Sequence, residues 1–219
     1  MASNFKKIVS YSRFVELKKI LIMPLSIFFR LNALNNFTGI SFIDSFPLKV
    51  CHIKRQYSHK LFKNIAQKGK TSVGWFYGFK IHFTINDKGE IIDFIISPGN
   101  TADNNKEVVD KITENIFGKL IADKGYIGCF KSLFEKNIFL IHKLRANMKN
   151  KLMLIEDKLL LKKRGIIEST INVLKNIFNI EHTRARSKIN FLSNILSALI
   201  AYAFKPCKPH ISTINLVPA

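Results

Sequence analysis

The chain has 219 residues, 47% of them hydrophobic, which suits one domain, or a domain with an appendage, and excludes a disordered basic tail. Lys and Arg number 35 against 15 Asp and Glu, a formal charge of +20, and a folded domain with that field seeks polyanions, nucleic acid first and an anionic membrane surface second. Cys51, Cys129 and Cys207 are odd in number, far apart and without a C-x-x-C pair, which excludes a disulfide framework and a structural zinc site and points to a reduced intracellular compartment.

In chain order, residues 3–30 read as one or two helices, with Phe14, Leu17, Ile20 and Leu21 at helical spacing and a break near Pro24. The apolar runs 20–29 and 192–204 fall short of the ~20 residues a spanning helix needs. The first follows Lys18-Lys19 but contains Pro24 and lacks a cleavage site, so it is not read as a signal peptide. After a polar loop over 32–39, Ile40-Ser-Phe-Ile-Asp44-Ser-Phe-Pro47 reads as a buried strand ending at the proline. Asp44 is its only charge, costly there unless paired or metal-bound. Residues 48–70, with Lys54 and Arg55, form a basic connection of little periodicity, read as a solvated loop that could face DNA. No acid occurs between Asp44 and Asp87, and none follows Glu181. Segments 73–85 and 90–97 flank the turn Asn86-Asp87-Lys88-Gly89 and predict two antiparallel strands beside the Asp44 strand. Their aromatics Trp75, Phe76, Tyr77 and Phe79 read as hairpin core rather than base-stacking groups.

Asp103 or Asn104 is placed to cap a helix running to Phe117, and 119–123 is a short strand with Asp123 at its carboxyl end. Lys124 follows in a turn, as a phosphate contact or merely a turn lysine. A helix over 130–137, a strand over 138–144 and a cationic, partly irregular insert over 145–163 come next. His52, His59 and His142 read as basic-surface residues rather than metal ligands. Residues 164–182 then predict a helix in which Arg164, Glu168, Asn172, Lys175, Asn179 and His182 fall within roughly 80° while apolar residues fill the opposite half. A polar line that narrow on a mostly buried helix faces a groove or site. Glu168 has two readings there: a helix-stabilising pair with Arg164 at i−4, or one ligand of a divalent metal with Arg164 and Lys175 beside an anionic substrate. A last helix spans 190–204 and a proline-containing tail follows.

Asp44, Asp123 and Glu168 thus stand on two strands and a helix, and strand ends at a switch point of an α/β sheet line a crevice where such groups converge. The predicted fold is α/β, an RNase H-like mixed sheet of three antiparallel strands and then parallel strands, with helices on both faces. Carboxylates without His or Cys suit magnesium or manganese rather than zinc, and two such ions roughly 4 Å apart can activate an oxygen nucleophile and stabilise the leaving oxygen of a phosphodiester.

Ser41-Phe-Ile-Asp44-Ser, Gly69-Lys-Thr-Ser-Val-Gly-Trp75-Phe-Tyr-Gly78-Phe-Lys, Pro98-Gly-Asn100, Ala122-Asp123-Lys-Gly-Tyr126-Ile and Arg164-x3-Glu168-x6-Lys175 resemble the DDE transposases of bacterial insertion sequences, most closely the insertion sequence 982 family. The resemblance runs from about residue 11 to residue 209. It implies that Asp44, Asp123 and Glu168 are a catalytic triad binding two magnesium ions, with manganese as a substitute, and that Arg164 and Lys175 contact DNA near the cleaved end. Leu161 stands where those relatives carry a tyrosine, and Ala122 where a glycine is common. Implied partners are element-end and target DNA, with a homo-oligomer as the active form, no membrane, and a cytoplasmic, nucleoid-associated location. Lys124, Lys54 and Arg55 join the expected DNA contacts.

The expected division is a helical linker over 1–39, remnant of an N-terminal region, a catalytic domain over 40–205 and a tail over 206–219. Relatives of this kind carry a helical DNA-binding region ahead of the catalytic domain, so the 43 residues before Asp44 predict an N-terminally truncated protein. Two alternatives stay open on sequence alone: an inactive transposase remnant that only binds DNA, and a basic membrane-surface protein using 192–204 as an interfacial helix.

Overall fold

The computed structural model describes residues 9–34, 36–143, 152–181 and 185–211. It opens with α1 (Tyr11–Ile20), capped by the Ser10 hydroxyl accepting from the Arg13 N–H at 3.3 Å, and α2 (Ile22–Ala33). The break falls at Leu21, and Pro24 lies in the first turn of α2, where its missing N–H forfeits no helical bond.

Six strands form one mixed sheet: β1 (Ile40–Cys51), β2 (Gln67–Thr71), β3 (Gly74–Asn86), β4 (Ile91–Pro98), β5 (Gly118–Ala122) and β6 (Ile138–His142). β4, β3 and β1 are antiparallel neighbours, and β5 and β6 continue in parallel from β1, giving the order β4-β3-β1-β5-β6. β2 lies along the start of β3, on the edge that β4 occupies further on. The arrangement is the predicted α/β mixed sheet and is compatible with an RNase H-like fold.

Strand alternation splits the core between two faces. Phe42, Phe46, Ile81, Phe83, Ile121 and Ile141 point to one, where α2, α5 (Ile155–Lys162), α6 (Gly165–Asn176) and α7 (Lys188–Ala203) cover them. Ile43, Ile92, Leu120 and Leu140 point to the other, against α3 (Lys106–Ile112), a 3-10 turn at Lys124–Cys129 and α4 (Phe130–Glu135). Helices therefore lie on both faces, as expected.

Several boundaries differ from the sequence reading. β1 runs through Pro47 to Cys51, because β5 pairs with β1 only over Ile40–Phe42 and leaves one edge of β1 open at the proline, which needs no donor there. The basic connection contains a strand, β2, whose only signal was its position beside the hairpin. The irregular insert contains α5, while residues 144–151 lie outside the described residues. The helix after β4 ends at Ile112 rather than Phe117, and Asn105 caps it. α6 stops at Asn176, beyond which Asn179 takes a left-handed φ of 50°.

Candidate active site

The site is assembled from the β1–β5 register. Ile40, Ser41 and Phe42 pair with Lys119, Leu120 and Ile121, and Asp44 and Asp123 each follow two positions past the last pair of that ladder, near enough for the Asp123 charge to act on the Asp44 carboxyl. Gly118 fixes where the ladder starts: its φ is +79°, and a Cβ there would run into the Gly39 carbonyl. Asp123 follows the last residue of β5 in an extended conformation and leads into the 3-10 turn.

Arg164 joins the third acid to this pair. It precedes α6 and reaches two carboxylates, donating from Nη2 to Asp44 Oδ2 and from Nη1 to Glu168 Oε1, each at 2.9 Å. The Arg164 side chain is 15% exposed and that of Glu168 is 59%, so the guanidinium plugs a cleft between the β1 acid and an acid at its mouth. The i−4 pair read from sequence is present, but it is half of a bridge to the sheet. Burial pushes the Asp44 carboxyl up to about 6; Arg164 and the Ser45 N–H, which donates to Oδ1 at 2.8 Å, oppose the rise, and the Asp103 and Asp123 carboxylates add to it. Lys175 is on the same side, 5.3 Å above the Phe46 ring, and its ammonium is 2.8 Å from Glu181, poorly aligned for a hydrogen bond.

Among the described residues, no three His, Cys, Asp or Glu side chains gather closely enough to hold a metal ion. At the proposed acids, the Arg164 guanidinium lies between Asp44 and Glu168. The donors are of the right kind: a half-buried carboxylate on β1, a second just past β5 and a third on α6 suit a hard dication. The fit needs Arg164 to release them.

Behind Asp44, across the sheet, Asp103 accepts from the Ser45 hydroxyl at 2.5 Å and from the Lys80 ammonium at 3.0 Å, with Lys80 buried. His82 bonds Ser97 Oγ at 2.8 Å, and burial lowers its pKa to about 4, so it stays neutral. The Tyr126 hydroxyl is buried without a partner. Burial, with the Asp44 and Asp103 charges nearby, holds its pKa well above the ordinary tyrosine value. Sequence reading gave Asp103 only a capping role, since its partners lie on strands distant in the chain.

The remaining sequence candidates divide. Lys124 is exposed at the first position of the 3-10 turn, directly after Asp123. Lys54 and Arg55 are exposed in a short 3-10 turn past the far end of β1 and do not meet the acids. His52 caps that turn, His59 stacks on Phe62 at 5.6 Å and His142 faces the Lys143 carbonyl, so the three do not converge. Phe76 and Phe79 are core as expected, but Trp75 is 55% exposed, a correction that follows from its place on β3 before the sheet is covered. His182 lies outside the described residues. Among the described residues no helix is long and apolar enough to cross a membrane.

Comparison with curated proteins finds no match. A family model described as transposase DDE domain matches residues 34–188, a span that begins before β1, ends at the start of α7 and contains Asp44, Asp123 and Glu168. That span is well over half of the sequence, and the chain belongs to the transposase DDE domain family.

Proposed function

We propose that the chain is a metal-dependent DNA strand transferase that cuts a phosphodiester at an insertion-element end and joins the freed 3′ hydroxyl to target DNA. The observation that carries this reading is the tie of Glu168 to Asp44 through one guanidinium, with Asp123 just past the end of the strand that runs parallel to β1 and its charge acting on Asp44. The motif blocks quoted above support the insertion sequence 982 family as its place among such proteins.

In this reading Asp44, Asp123 and Glu168 hold magnesium, or manganese in its place. Two bound ions would supply Lewis-acid chemistry, activating the attacking oxygen and stabilising the leaving one. The chain's own groups do the rest. The Ser45 N–H fixes the Asp44 carboxylate, and the Asp103–Lys80 pair fixes Ser45 from the opposite face. Arg164 exchanges its carboxylate partners for a phosphate of the bound strand, a bidentate fit that guanidinium makes well. Lys175 and Lys124 flank the acids as further phosphate contacts, and Lys54 and Arg55 meet the duplex farther out.

The test is incubation of labelled element-end DNA with the protein and Mg²⁺, scored for nicking and strand transfer. Asp44→Asn, Asp123→Asn and Glu168→Gln should each abolish cleavage and leave DNA affinity within a few-fold. Cutting at the wild-type rate by any of the three would overturn the assignment.

A further inference from the structure

We propose that the face of β2 and β3 bearing Lys68, Lys70 and Trp75 is a second DNA contact, which stacks an unpaired base on the indole and grips the adjoining phosphates with the two lysines. The proposal rests on the DNA reading above. Lys70 pairs across the ladder with Trp75 and Lys68 with Tyr77, so these side chains share a face, while Gly69 and Phe76 turn to the other and are buried. The Lys68 ammonium is 4.3 Å and the Lys70 ammonium 5.6 Å from the centroid of the Trp75 ring. Lysines on an edge strand alone are accounted for, because they block unwanted pairing. They give no reason for an indole to stand outside the core beneath them. An aromatic platform between mobile cations is the arrangement that binds single strands, since every base has a face to stack and every nucleotide a phosphate to neutralise.

Two further observations fit this occupant. No carboxylate occurs between Asp44 and Asp87, so the chain around the hairpin carries no charge of its own to repel phosphates. The platform also stands at the open end of β3: Trp75 is exposed, whereas Phe79, Ile81 and Phe83, which alternate onto the same face, lie buried under the helices.

Trp75 is the only tryptophan in the chain, so its emission reports this site alone. The wild-type protein is titrated with a thymine oligomer of about 20 nucleotides, following tryptophan emission, and with the same oligomer fluorescein-labelled, following anisotropy. Strong quenching is expected at saturation. Trp75→Ala should bind roughly tenfold more weakly, Trp75→Phe near the wild-type level, and Lys68→Ala with Lys70→Ala should flatten the log-log salt slope by ~1.4. Saturable anisotropy with unchanged emission and an unaffected Trp75→Ala variant overturns this contact and leaves the DNA reading standing; absence of any anisotropy change overturns both. A blue shift with phosphatidylglycerol vesicles that the oligomer does not compete away would make the face a membrane contact and overturn the proposal.

Discussion

Replacing Asp44 with asparagine should stabilise the metal-free protein while removing its proposed chemistry. The carboxyl titrates near 3.8 in an unfolded chain and at about 6 in the fold, chiefly because burial disfavours its ionised form. The stability it contributes is therefore fully present below pH 3.8 and is lost as the pH rises through 6. Once ionised it costs the folded state about 3 kcal/mol, at ~1.4 kcal/mol for each tenfold change in proton affinity. Asparagine keeps a neutral acceptor for the Ser45 N–H and the Arg164 guanidinium at every pH. In a chain of this length about 3 kcal/mol corresponds to a Tm higher by about 6–12 °C. Melting curves of the two proteins in chelator should differ by that much at pH 8, by roughly half at pH 5, and should converge towards pH 4. An Asp44→Asn protein that melts at or below the wild-type temperature at pH 8 would show that Arg164 already compensates the buried charge, and the argument from burial would fail.

Arg164→Ala should bind Mn²⁺ several-fold more tightly in a paramagnetic-resonance titration, because the guanidinium that competes for Asp44 and Glu168 is gone; unchanged or weaker binding would mean that Arg164 does not occupy the metal's place. Gly118→Ala forces a side chain into a left-handed φ of +79° and against the Gly39 carbonyl, and calorimetry should record a loss of about 2 kcal/mol or more. Asp103→Ala leaves the buried Lys80 ammonium without its partner, and after discounting for the exposure of Asp103 the cost in chemical denaturation should be about 1–2 kcal/mol.

Period and turn chemistry made much of the fold legible. Alternation around Asp44, the Asn-Asp-Lys-Gly turn and the short apolar strands at 119–123 and 138–144 each came from local pattern, and short-range physics decides those. β2 was hidden because Gln67-Lys-Gly-Lys-Thr71 has no apolar face: its far side packs through a glycine, and it is a strand because β3 offers it an edge. Pro47 misled because a proline ends a strand only where a donor is needed. The acids proposed as the site were chosen by type and spacing, and the guanidinium spanning two of them was not foreseen, since i−4 spacing predicts Arg164 with Glu168 and says nothing of Asp44. The hydrogen bonds of Asp103 were out of reach for the same reason, being made by residues that meet only once the sheet exists.

The parallel pairing of β5 with β1 also sets an order in time. Asp123 comes about eighty positions after its neighbour, and Glu168 comes later still, so loop closure must precede any contact among them. As the chain leaves the ribosome, β1, β3 and β4 can pair early through a local hairpin, but Asp44 then waits on a sheet face that α5, α6 and α7 have yet to cover, without Arg164. A chain that lacks α6 thus holds only a mute acid, and the arrangement proposed to cut DNA comes into being when α6 docks.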